Sequence, residues 1–311
     1  MSIEGLVNIR KAISTLNPRQ VREMSERPLT IGLYAESAGA HLRMEDFFLR
    51  ELTPARRSES SLLLRRVGAD TPGATYDISV FDEGIAAPPR ALVFQPNRTE
   101  QLVRYALKTH PDLGVSLAKS FAPFRGPFVE QVVSNTSREN MLFSLFTALP
   151  DVLPSIIELP WAVAEFASDT AFLTMNQVRM AFLLAAASDR DVGYLEQKTE
   201  IATVIGSAFG WRALARQLVG KIPFGGGLIA KSAVAYAGTK VLGLSLDRYY
   251  AIGYAYSRQE RESLYAEAFQ QGKRVATRIL NFLRPDLAAK LADADAAKAG
   301  GNARRAAASF Q

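Results

Sequence analysis

Strand-forming residues gather in one part of this chain, and that limits its fold more than any other feature. "LTIGLY" (29–34), "TYDISVF" (75–81) and "RALVFQP" (90–96) are short, apolar, rich in β-formers and bounded by Gly, Pro or Asp. Beyond Asn97 almost every segment has helical spacing instead. Helix-like segments 41–52 and 58–66 lie between the first two strands, an order that builds a small layer with partly parallel strands. The expectation is a helix-dominated α+β protein, with a small Rossmann-like, degenerate phosphate-loop-like α/β layer followed by an α-helical domain.

The punctuation gives expected boundaries. Residues 1–27 form a helical segment, entered at Asn17-Pro18 and stopped before Arg27-Pro28. Residues 28–125 form the α/β domain, 126–285 the helical domain, and the Ala-, Asp- and Gly-rich 286–311 a disordered tail. "TEQLVRYALKTH" ends at His110-Pro111, and "PDLGVSLAKSF" makes a short helix. One helix begins at Pro127 and another behind Ser137. Long helices span 161–187, 196–219 and 228–250, the first broken by Ser188-Asp189-Arg190-Asp191. Ser257 with Glu260 makes a capping box that opens the last helix.

Composition removes whole classes of chemistry. The 311 residues include no cysteine, so disulfides, thiolate metal sites and cysteine nucleophiles are excluded. His41 and His110 are the sole histidines, too few for a multi-histidine metal site. The net charge of +6 is mild, and much of the positive charge falls near the C-terminal end, from Lys273 to Arg305. The first residues, MSIEGLVNIRKAISTL, lack a signal peptide's pattern, and Lys231 and Lys240 interrupt the most apolar stretch, 222–246. A cytoplasmic chain is expected, with peripheral contact to the inner face of the membrane left open.

"IGLYAESAGAHL" (31–42) has the layout of a strand, loop and helix that cradle a phosphate. In the pattern GxxxxGK[ST], glycines admit the phosphates to backbone N–H groups, Lys neutralises charge, and the hydroxyl holds magnesium. Here Ala35 and Ala40 stand at the glycines, His41 at the lysine and Leu42 at the hydroxyl, with Gly39 inside the loop. Every diagnostic position fails. Asp70-Thr71-Pro72-Gly73 and Asn97-Arg98-Thr99-Glu100 echo GTPase motifs, but they read better as a turn and a helix start. Asp77, Asp82 and Glu83 lie in or beside one strand, where alternation sends Asp82 and Glu83 to opposite faces. No catalytic residue, metal ligand or cofactor-binding residue is assigned.

Within 161–187, Glu165, Asp169 and Asn176 project along one line of an otherwise apolar helix, with Arg179 beside it. Arg212 and Arg216, one turn apart in the next helix, supply matching cations. These six residues form a polar stripe that serves either tight helix packing with Arg–carboxylate pairs or the docking of a partner.

"MNQVRMAFLLAAAS" (with Gln177, Val178, Arg179 and Met180) is followed by "GSAFGWRALARQLVGKIPFGGGLIAKSAVAYAGTKVLG" and a tyrosine-rich end. This sequence resembles the YcjF-like, GTPase-associated domain of unknown function found in many bacteria, over about residues 150–250. The resemblance implies a domain that accompanies a GTPase and is membrane-associated in some members, and it brings no catalytic residues. In GTPase-bearing relatives a similar Arg-Pro and strand lead into an intact phosphate loop. The altered loop here argues against GTP hydrolysis and implies a shrunken, non-catalytic pseudo-GTPase module. The expected function is that of a non-enzymatic regulatory or adaptor protein with a protein partner, a GTPase being one candidate. Two alternatives are a membrane-surface protein using the glycine-turn hairpin and the basic C-terminal helix, and a residual nucleotide-binding enzyme. No cofactor and no nucleic acid are expected, and a homo-oligomer is left open.

Overall fold

The computed structural model describes residues 3–68, 75–147, 169–206, 226–283 and 285. Its helices are α1 (Ile3–Ser14), α2 (Pro18–Glu26), α3 (Ala38–Leu49), α4 (Pro54–Ser61), α5 (Thr99–Thr109), α6 (Gly114–Ser120) and α7 (Ala122–Phe146). They continue with α8 (Asp169–Ala187), α9 (described over 198–206), α10 (Gly226–Ile252) and α11 (Arg258–Leu283). The strands are β1 (Ile31–Tyr34), β2 (Leu64–Val67), β3 (Ile78–Asp82) and β4 (Leu92–Phe94). The protein is α+β and helix-dominated. It divides into a sheet unit, Asn17–Val132 with Phe182–Glu196, and a helical unit, Met1–Leu16 with Val133–Ala181 and Gln197–Gln311.

In the sheet unit the four strands run parallel in the order β2-β1-β3-β4. β2 corrects the expected helix over 58–66. Leu and Arg favour helices by intrinsic propensity, but Leu64–Val67 pair residue for residue with β1 and the Ile31 N–H donates to the Leu63 carbonyl at 2.8 Å. Tertiary pairing overrides local preference here. α4 begins earlier than expected, with Pro54 in its first turn. α3 likewise begins at Ala38 and not at His41, because Ser37 caps it and its hydroxyl accepts the Ala40 N–H at 3.1 Å.

The two sheet faces are covered differently. α3 packs on one, where Glu45 reaches Arg66 and Phe47 meets Phe94. On the other, the ring of Tyr76 lies directly over Gly32 and edge-on to Tyr34, which stacks on Phe81 at 4.5 Å. Gly32 is required there, since any Cβ would penetrate the Tyr76 ring. Phe48 of α3 packs against Phe121 and Phe124 at 5.2 and 5.8 Å, making an aromatic core. Each such ring contributes about 2–3 kcal/mol by burial.

The expected break after Ala187 closes α8. Asp189 adopts φ 55°, and the Arg190 N–H reaches back to the Ala185 carbonyl, the pattern of a left-handed helix cap. In that position Asp189 pairs with Arg56 of α4 and lies 3.7 Å from Lys119 of α6. Arg22 also donates to the Val192 carbonyl at 2.6 Å, so ionic and hydrogen-bonded contacts fasten 182–196 to this unit.

The helices expected from Pro127 and behind Ser137 are one helix, α7, of 25 residues. Pro127 removes only the bond its missing N–H would give the Pro123 carbonyl, early in the helix. In the helical unit α10 and α11 form an antiparallel hairpin of 27 and 26 residues. They approach closely at Gly272, where a Cβ would stand 3.1 Å from the Ala233 Cα. The capping box forms as read: Ser257 N–H donates to Glu260 at 2.8 Å and Glu260 N–H to the Ser257 hydroxyl at 3.3 Å. These bonds hold the Glu260 carboxyl below the usual carboxylate range, with Arg248 adding to the effect.

Candidate functional site

β1 sends the chain to β2 on one side, and the following crossover returns it to β3 on the other, so the strand order reverses between β1 and β3. In open parallel sheets, ligands bind at the carboxyl ends of the strands beside such a point. The residues there are Ala35–Ser37 after β1, the start of α3, and Asp82–Gly84 after β3.

Only three residues separate β1 from α3, which leaves little backbone to wrap around a phosphate. Ala35 is buried, and its N–H donates to the Val67 carbonyl at 3.2 Å, extending the sheet. Gly39 is exposed in the first turn of α3, and Ala40 is buried with its N–H on the Ser37 hydroxyl. His41, at the lysine position of the phosphate pattern, is only 8% exposed and points back into the protein. Its Nδ1 lies 3.1 Å from the Ser37 carbonyl, and its Nε2 lies 3.1 and 3.0 Å from the carbonyls of Leu33 and Val67. A carbonyl only accepts and a neutral imidazole donates from one nitrogen, so by tautomer the ring donates through Nε2–H to the ends of β1 and β2 or through Nδ1–H to the cap of α3. The imidazole sits in the first turn of α3, which starts three residues before the segment read from His41, and its inward turn latches the loop. Leu42, at the hydroxyl position, is 51% exposed.

The charges nearby are largely spoken for. Asp82 is buried at the end of β3, accepts the Gly84 N–H at 3.3 Å and lies 3.9 Å from Arg43 of α3. Glu83 is exposed in the turn that follows β3. Glu45 forms a two-pronged pair with Arg66 at 2.6 and 2.7 Å, and that hydrogen bonding holds its carboxyl below the usual range. Asp77 accepts the backbone N–H and hydroxyl of Thr30 at 2.8 and 2.9 Å, joining the chain before β1 to the start of β3. Among the described residues no group of three or more metal-binding side chains occurs.

Of the six residues of the polar stripe, the structure describes the surroundings of Asn176 and Arg179. Glu165, Arg212 and Arg216 lie outside the described residues, as does Asp70–Gly73, and the described part of α8 opens at Asp169. Arg179 is exposed, whereas Asn176 is buried. Asn176 donates to the Oδ1 of Asn140 on α7 at 3.0 Å. Asn140 donates in turn to Thr239 of α10 at 2.9 Å and to the Leu173 carbonyl at 3.3 Å, and Gln177 donates to Thr239 at 3.0 Å. Thr239 therefore accepts two bonds, and three helices meet through side-chain amides in a fully buried setting. Sequence reading missed Asn140 and Thr239. A signal existed: Ser137, Asn140 and Ser144, spaced three and four apart on α7, are all buried.

The chain matches no family model, no curated protein and no solved structure.

Proposed function

We propose that this chain is a non-enzymatic adaptor: a sheet unit of degenerate nucleotide-fold type, closed at its phosphate position, joined in sequence to a YcjF-like helical unit that engages a protein partner. The observation that carries this reading is the inward turn of His41, whose ring nitrogens face three carbonyls where a phosphate loop would place a lysine. Hydrogen bonds from Ala35, Ala40 and His41 amides to groups within the protein support it further, because these donors are withdrawn from any anion. The parallel sheet and its strand order are compatible with a shrunken GTPase-like ancestor, and the resemblance over 150–250 favours a GTPase as partner.

Two measurements test the two halves. Calorimetry with GTP, GDP and ATP in magnesium should give no binding heat, and saturable binding of any of them would refute the closed module. Affinity capture with the full chain should retain a partner that a Glu165→Lys/Asp169→Lys variant loses. Identical capture by both proteins would contradict docking through the polar stripe.

A further inference from the structure

The hairpin of α10 and α11 uses its apolar surface internally. Ala237, Val241, Tyr265 and Ala268 form one buried cluster, and Met141, Tyr236 and Ala276 another. The hairpin's apolar face is thus consumed by packing, and what α11 leaves outside is of another character. Glu267 is its last acidic residue; beyond it come Lys273, Arg274 and Arg278, all exposed. The ion pairs of α11 lie at its start, Arg248–Glu260 and Arg258–Glu262, and none among the described residues involves these three cations. Arg274, Arg278 and Phe282 follow at intervals of four, which places them on a single stripe of the helix. Phe282 is 86% exposed, the most exposed large apolar side chain among the described residues.

We propose that this face of α11 docks on an anionic phospholipid surface. A cation-only face would suit any polyanion. The aromatic ring at the end of the same stripe selects the bilayer, because it has an apolar layer to enter beneath the headgroups that the arginines neutralise. Three cations and one ring give reversible, salt-sensitive attachment, not insertion. A helix C-terminus by itself favours cations through its dipole, but that effect gives no reason for an unburied phenylalanine. The proposal rests on α11 alone and is independent of whether the sheet unit binds nucleotide or a protein partner.

The test is flotation of the full-length protein with vesicles of phosphatidylcholine alone or mixed with phosphatidylglycerol. The wild type should float with the anionic vesicles at low salt, fail to float with the neutral ones, and be released at high salt. A Lys273→Glu/Arg274→Glu/Arg278→Glu variant should partition about a hundredfold less, from about fivefold per cation near such a surface. Phe282→Ser should lose binding severalfold while keeping its charge, and both variants should retain the wild-type helical circular dichroism. Absence of flotation with the anionic vesicles, equal flotation with neutral ones, or undiminished binding of the folded triple variant would overturn the assignment. So would retention of an RNA or an acidic peptide by the same face without any vesicle binding.

Discussion

His41 in the sheet unit and Asn140 in the helical unit are both buried polar side chains with three partners, yet they do different work. His41 meets only main-chain carbonyls, all within 26 residues of it in sequence. Asn140 bonds to two side chains as well as one carbonyl, and reaches across 99 residues to Thr239. A main-chain acceptor survives substitution of the residue that carries it, so the His41 latch depends on one side chain. The Asn140 network depends on several at once, and its members are coupled. The sheet unit is closed by a local device, whereas the helical unit is given its register by a long-range one.

That contrast can be broken by mutation. Asn140→Leu should have the largest effect, costing about 3 kcal/mol by urea unfolding, because it leaves buried amide and hydroxyl groups without partners. Combined with Thr239→Val, it should show a coupling of about 1 kcal/mol or more, and additive losses would mean the network is not a unit. His41→Ala should cost about 2 kcal/mol and show no coupling to Val67→Ala, whose carbonyl remains in place. A strong coupling there would mean the latch acts through side-chain packing.

Smaller effects sharpen the picture. Ser257→Ala removes half of the capping box and should cost about 1 kcal/mol, read as a lower thermal midpoint. The Glu45–Arg66 pair should contribute little, since Arg66 is solvent-exposed and its charge is screened. Its sign with pH is fixed: the Glu45 carboxyl titrates below its unfolded value, so its contribution is present above about pH 4.3 and is lost as pH falls through the lowered folded value. Glu45→Gln should flatten acid unfolding in that window relative to wild type, and an unchanged acid limb would show that the pair adds nothing.

What the sequence disclosed follows the same division between local and long-range. The strands at 31–34, 78–82 and 92–94, the cap at Ser257 with Glu260 and the break after Ala187 are encoded by neighbouring residues, and they were legible. β2 was not, because helix-forming leucines and arginines become a strand only by pairing with β1. The continuity of α7 through Pro127 was hidden for a related reason, since the turn type is decided by packing around it. At the candidate site the loop's missing lysine and hydroxyl were visible, but the inward direction of His41 was not. The distance from His41 to the carbonyls of Leu33 and Val67 is a property of the assembled sheet. Asp189 illustrates the limit equally well: an aspartate in a left-handed cap is intelligible only once Arg56 and Lys119 are seen beside it.

The central claim is that the loop between β1 and α3 is closed against phosphate. The most direct measurement is an amide NMR titration of the full chain with magnesium and GTP, GDP or pyrophosphate, following Glu36, Ser37, Ala38, Gly39 and His41. The account predicts that these resonances stay in place at millimolar ligand. A saturable shift confined to them would contradict it, because it would require the His41 latch to open for an anion.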